Sequence, residues 1–135
     1  MHQLGLQLAA QLRAGDLVLV NGPLGAGKTV LAQGIGAGLG VSGITSPTFV
    51  ISRVHKGAIP FIQVDAYRLV DSENPNLYLD DLDLDIANSV TVIEWGGAES
   101  ARLSEDRLEI TIDRSDDVRK VVVKPIGSRW ARFSL

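Results

Sequence analysis

The sequence predicts an α/β fold: a single three-layer, P-loop NTPase-like domain over residues 1–135, with a mixed central sheet and hairpins. Three observations predict it. Two near-continuous apolar runs, Leu17-Val18-Leu19-Val20 and Val90-Thr91-Val92-Ile93, suit strands buried on both faces of a parallel sheet. A glycine-rich turn, Gly22 to Gly27, joins the first run to a helix-forming segment. Two pairs of β-prone runs separated by short polar turns add antiparallel hairpins. A chain of 135 residues supports one hydrophobic core and is short for two.

Taken in order, Leu4, Leu8 and Leu12 recur at helical spacing, so residues 2–13 read as an amphipathic helix ending near Gly15. The strand 17–20 follows, then the turn, then a helix from Lys28 to Leu39 with Gly40 past its end. Gly34, Gly36 and Gly38 each cost that helix about 1 kcal/mol relative to Ala, which close packing against the sheet would offset. Phe49 to His55 and Ile59 to Val64 flank Lys56-Gly57-Ala58 as a hairpin. Residues 66–88 are polar and acidic with interspersed leucines and read as irregular helix. After the strand 90–93, Leu108 to Ile112 alternates, Arg114 to Asp117 form a turn, and Val118 to Ile126 is a final strand.

Composition narrows the function classes. Cysteine is absent, which excludes disulfides, zinc–thiolate centres and Cys nucleophiles. The N-terminus lacks a signal-peptide pattern and no run is long enough to span a bilayer, so the expected location is cytoplasmic, with no membrane partner. A net charge of −3 argues against a tight direct grip on RNA. Asp65, Asp71, Glu73, Asp80, Asp81, Asp83 and Asp85 form an acidic stretch, readable as a solvated face or as a dock for a basic protein.

Gly22-Pro23-Leu24-Gly25-Ala26-Gly27-Lys28-Thr29 matches G-x-x-x-x-G-K-[ST] in full, between a predicted strand and a predicted helix. Such glycines let successive backbone N–H groups turn inward around phosphate oxygens, aided by the positive end of the next helix. Lys28 then pairs with the β- and γ-phosphates and the Thr29 hydroxyl ligates Mg²⁺, with Val30 in the same first turn. The chemistry also needs an acid at a strand end. Glu94 and Asp65 are the two candidates. No Asn-Lys-x-Asp element for guanine is present. An Arg-rich lid and acceptor pocket, as small-molecule kinases use, have little room. His2 and His55 are poorly placed for a general base.

Together with the loop, Ser46-Pro47-Thr48-Phe49, Val64-Asp65-Ala66-Tyr67-Arg68-Leu69 and Ile93-Glu94-Trp95 resemble the TsaE (YjeE) family in order and spacing across nearly the whole chain. The resemblance implies an ATPase that needs ATP and Mg²⁺ and is required for threonylcarbamoylation of the tRNA adenosine beside the anticodon. Its implied partners are the protein subunits of the transferase complex, with tRNA met only indirectly.

By resemblance, Lys28, Asp65 and Glu94 are catalytic, and Thr29, Glu94 and Asp65 surround the metal. Gly22, Leu24, Gly25, Ala26, Gly27, Lys28, Thr29 and Val30 form the cradle, Ser46 and Thr48 sense the γ-phosphate, and Trp95 and Arg119 approach the nucleotide from outside the loop. Two departures stand out: family members have a Thr-bearing segment before the first helix, and Leu103-Ser104 replaces a Leu-Pro. Two other readings compete, a nucleotide-dependent protein-binding module with incidental hydrolysis and a small-molecule kinase.

Overall fold

The computed structural model describes residues 1–23, 27–41, 52–65, 85–94, 105–115 and 118–134, with the backbone alone at 52, 53, 65, 114, 115, 118 and 119. Helix α1 (His2–Ala9) leads into β1 (Leu17–Asn21), and helix α2 (Lys28–Gly38) follows the glycine-rich turn. Then come β2 (Ser52–His55), β3 (Phe61–Asp65), a 3-10 turn (Ile86–Asn88), β4 (Val90–Glu94), β5 (Arg107–Ser115), β6 (Val118–Ile126) and a second 3-10 turn (Ser128–Trp130). All six strands form one sheet in the order β2-β3-β4-β1-β5-β6. The inner strands β3, β4, β1 and β5 are parallel, and β2 and β6 fold back antiparallel at the edges. An α/β fold with a mixed sheet and two hairpins is therefore present.

Burial explains why the apolar runs became central strands. Val18, Val20, Phe61, Val90, Val92, Leu108, Ile110 and Ile112 share one cluster with Leu8, Leu31 and Ile35 of the helices, which defines the helix-covered face. Leu17, Leu19, Ile62, Val64 and Ile93, at the alternate positions, are buried as well. Fully burying each such side chain contributes roughly 1.5–3 kcal/mol.

The glycines of α2 have a different explanation from the expected one. Gly34 and Gly38 face α1 rather than the sheet. A Cβ on Gly5 would lie 2.6 Å from the Ile35 nitrogen and from the Leu31 carbonyl oxygen; one on Gly34 would strike the His2 carbonyl, and one on Gly38 the Ala9 methyl. The two helices thus run side by side in the same direction at backbone contact, and that contact offsets the low helix propensity of glycine.

The elements also differ in detail from the sequence reading. Helix α1 ends at Ala9, after which Gln11 and Leu12 donate to carbonyls three residues back. Strand β5 runs on through Arg114 and Ser115, which the sequence placed in a turn, because the pairing with β6 persists to Ser115 opposite Val118. The terminal 3-10 turn was not anticipated. It is held by a bidentate ion pair in which Arg129 Nε and Nη2 donate to the Asp16 carboxylate at 3.2 and 3.1 Å, while Nη2 also donates to the Gln11 carbonyl at 2.8 Å. The Arg129 guanidinium lies 4.1 Å from the Trp130 ring centroid, and Trp130 is buried in the core. Since Asp16 precedes β1, this strap closes the end of the sheet away from the glycine-rich loop.

Gly34→Ala is expected to destabilise by about 1–3 kcal/mol, as overpacking does, seen as a melting point lowered by several degrees. Gly40→Ala, with positive φ but open space around its Cβ position, costs only about 1 kcal/mol of backbone strain; equal losses in the two variants would contradict the helix contact. Arg129→Met leaves the buried Asp16 carboxylate without its guanidinium. A loss of roughly 2–3 kcal/mol is expected, below the ~3–5 of a fully buried pair because the Arg129 side chain keeps 21% exposure.

Candidate functional site

Parallel strands bring their C-terminal ends to one edge, where open α/β sheets bind ligands. Here that edge carries Asn21 at the end of β1, Glu94 at the end of β4 and Asp65 at the end of β3. Asp65 registers with Glu94, and Glu94 with Val20. Alternation puts Glu94 on the face of Val90 and Val92, the face that α2 covers. Glu94 is 3% exposed. The two acids therefore hold neighbouring ladder positions, about 4.8 Å apart between strands, beside the strand that feeds the loop.

Across that edge, α2 starts without a side-chain cap. Its N-cap is Gly27, with φ 107°, a left-handed conformation that glycine alone adopts freely. Gly27 supplies the carbonyl for the first helical bond, from Leu31 N at 2.9 Å. The first-turn N–H groups are thus not satisfied by a capping side chain and are oriented toward the loop. Lys28 is only 7% exposed, and its Nζ donates to the carbonyls of Gly22 at 2.7 Å and Pro23 at 2.9 Å. A buried ammonium folded against the loop's own backbone is chemically suited to an anion. Thr29 is half-buried, and Val30, 40% exposed, forms the open side of the same turn.

Of the residues that the sequence singled out, Gly22, Gly27, Lys28, Thr29, Val30 and Glu94 are brought together at this edge, with Asp65 and Arg119 placed there by backbone register. Leu24, Gly25, Ala26, Ser46, Thr48 and Trp95 lie outside the described residues. Arg114, which the sequence reading placed in a turn, stands directly opposite Arg119 in the β5–β6 ladder. His55 sits opposite Phe61 at the far edge, with its Nε2 3.4 Å from Gln63 Oε1, and has no route to this site.

The family model described as threonylcarbamoyl adenosine biosynthesis protein TsaE matches residues 1–122. The chain belongs to the TsaE family. A Streptomyces coelicolor relative, named tRNA threonylcarbamoyladenosine biosynthesis protein TsaE, is 51% identical over 97% of this chain and 94% of its own. A Bacillus subtilis protein of the same name is 36% identical over 90% of this chain and 77% of its own. The crystal structure of Bacillus subtilis YdiB superposes with a TM-score of 0.69 at 29% identity, covering 96% of this chain and 81% of that one. Among the described residues of this TsaE-family chain, no helix is long and apolar enough to cross a membrane.

A lysine that served a bound anion and not the fold would contribute little to the free protein, since a buried charge costs desolvation. Lys28→Met is expected to leave the nucleotide-free protein within about 1 kcal/mol of its parent, whereas a structural buried charge would cost ~3–5 on losing its partner. Denaturant unfolding without nucleotide measures the difference.

Proposed function

We propose that this TsaE-family chain is a cytoplasmic ATP-binding and ATP-hydrolysing component of tRNA threonylcarbamoyladenosine biosynthesis. It acts on the protein subunits of the threonylcarbamoyl transferase complex and meets tRNA only through them. The observation that carries the reading is the joint burial of Lys28 and Glu94 at the C-terminal edge of one parallel sheet, on either side of an uncapped helix start. Family membership names the pathway, and the edge supplies chemistry that such a step requires. The single three-layer P-loop domain belongs to the same proposal.

The donor set fits the groups proposed for it. Thr29 offers a hydroxyl, and Glu94 and Asp65 offer carboxylates from adjacent strands, all hard oxygen donors of the kind Mg²⁺ takes. Asp65 and Glu94 hold neighbouring register positions, from which one cation would be reached by carboxylates of both strands. When bound, Mg²⁺ supplies neutralisation of charge on the β- and γ-phosphate oxygens. The chain's own residues do the rest. Lys28 exchanges its loop carbonyls for phosphate oxygens, the α2 N–H groups and the cradle Gly22 to Val30 fix the triphosphate, and Glu94 with Asp65 orients the attacking water and receives its proton. Ser46 and Thr48 respond to the γ-phosphate, and Trp95 and Arg119 complete the enclosure.

Lys28→Ala and Thr29→Ala are expected to weaken Mg-nucleotide binding or turnover, while Glu94→Ala keeps much of the binding and loses hydrolysis, because an acid at the metal or water acts mainly in the transition state. Normal affinity and turnover in both loop variants would remove the site; normal turnover in Glu94→Ala would transfer the role to Asp65. Turnover by the isolated chain is expected to be slow and to rise on adding the transferase subunits, since a partner can supply or position a missing cation. Multiple-turnover ATPase alone, with each subunit and with both decides this, and fast, partner-independent turnover would contradict gating.

A further inference from the structure

We infer that the outer edge of β6 docks an extended, acidic segment of a partner protein by strand addition. The two edges of the sheet differ in kind. Strand β2 is four residues long, whereas β6 runs nine, from Val118 to Ile126, and among the described residues no strand pairs with its outer side. Natural sheets keep exposed edges short or block them. This long edge instead carries Lys120-Val121-Val122-Val123-Lys124 at its centre, three strong strand formers between two cations.

The hydrogen-bonding phase of the sheet fixes which backbone groups of β6 face outward. Thr91 N donates to the Asp16 carbonyl at 3.0 Å, so even-numbered residues of β1 face β4 and odd-numbered ones face β5. Leu19, level with Glu109, therefore bonds the residues on either side of it, Leu108 and Ile110. The odd-numbered residues of β5 are left to bond β6, where their partners are Lys120, Val122, Lys124 and Ile126. Val121, Val123 and Pro125 consequently aim their backbone groups away from the sheet. Pro125 agrees with this phase, because a proline within a sheet belongs where its missing N–H would face outward.

Side chains alternate about the same edge. Val121 and Val123 pack, partly buried, against the core beneath the helices. Lys120, Val122 and Lys124 lie on the opposite face, all three exposed, Val122 by 62%. On the β5 side they meet Asp113, Thr111 and Glu109. A strand added outside sets its own side chains beside the same three, so the matching pattern is acid, apolar, acid, with apolar residues between them extending the core next to Val121 and Val123. The lysines also exclude a second copy of this chain. In the two-fold antiparallel pairing that uses the whole strand, the two Val122 residues meet and each Lys120 opposes a Lys124, a like-charge contact made twice. The charges that keep copies apart thus select an acidic strand, attraction and repulsion acting together.

The test uses the full chain, isotope-labelled, and two synthetic peptides, Thr-Glu-Val-Val-Val-Glu-Thr and Thr-Lys-Val-Val-Val-Lys-Thr, followed by amide NMR shifts. The acidic peptide is expected to shift the Val121 and Val123 amides and slow their exchange with solvent. Its affinity is expected to exceed that of the basic peptide by about tenfold or more and to fall as salt rises. A Lys120→Gln, Lys124→Gln double variant is expected to bind it roughly fivefold less well, with a melting scan to show that the fold is kept. Should that variant fail to fold, the peptide comparison on the parent chain decides alone. Equal affinity for the two peptides, shifts confined to β2, or no shift at millimolar acidic peptide would each overturn the proposal. So would a parent chain that dimerises with its Val121 and Val123 amides protected.

Discussion

Keeping a lysine ammonium and a glutamate carboxylate out of water at one sheet edge is the constraint on which the rest of this structure depends. Each burial opposes folding unless the surroundings compensate. The Gly22 and Pro23 carbonyls do so for Lys28, next to Gly27, whose positive φ starts the helix. Glu94 cannot be moved to solvent without breaking β4, since the ladder to β1 on one side and β3 on the other fixes its position. The charges are therefore set by the sheet and the helix start.

Such a site needs a scaffold that does not relax around it, and two features outside the edge provide one. The α1–α2 contact leaves no room for even a methyl group at Gly5 or Gly34, so α2 cannot slide without losing van der Waals contact along its length. Lys28 and Thr29, at its first turn, inherit that rigidity. The Asp16–Arg129 pair anchors the opposite end, where the Arg13 N–H also donates to Asp16 at 2.7 Å and Gly15 N to the Ser89 carbonyl at 2.9 Å. Stability is thus concentrated away from the edge where the charges sit.

Local chemistry made much of this legible in advance. The glycine-rich loop is contiguous, and the runs at 17–20 and 90–93 needed no partner to be recognised as central strands, so the position of Glu94 followed directly. What depends on distant pairing did not follow. The helical glycines were assigned to the sheet because nothing in residues 28–39 says which neighbour approaches. The terminal 3-10 turn was missed because Arg129 is organised by Asp16, 113 positions away. Strand β5 was cut short because Arg114 reads as polar turn material until β6 is laid beside it. Asp65 illustrates the middle case: its strand was legible, but only the parallel register with β4 makes it a neighbour of Glu94.

The distribution of charge across the edge follows from the strand order. Among the described side chains, Lys28 is the cation at the loop, and Glu94 lies on β4, next to the strand that leads into it. Asp65 lies one strand further out on β3, while Arg114 and Arg119 lie on the other side of β1, on β5 and β6. The order β3-β4-β1-β5 thus places acids on one flank of the loop-bearing strand and arginines on the other. No single strand specifies that order. It is set by which neighbours pair, so the polarity of the edge belongs to the topology and not to the loop alone.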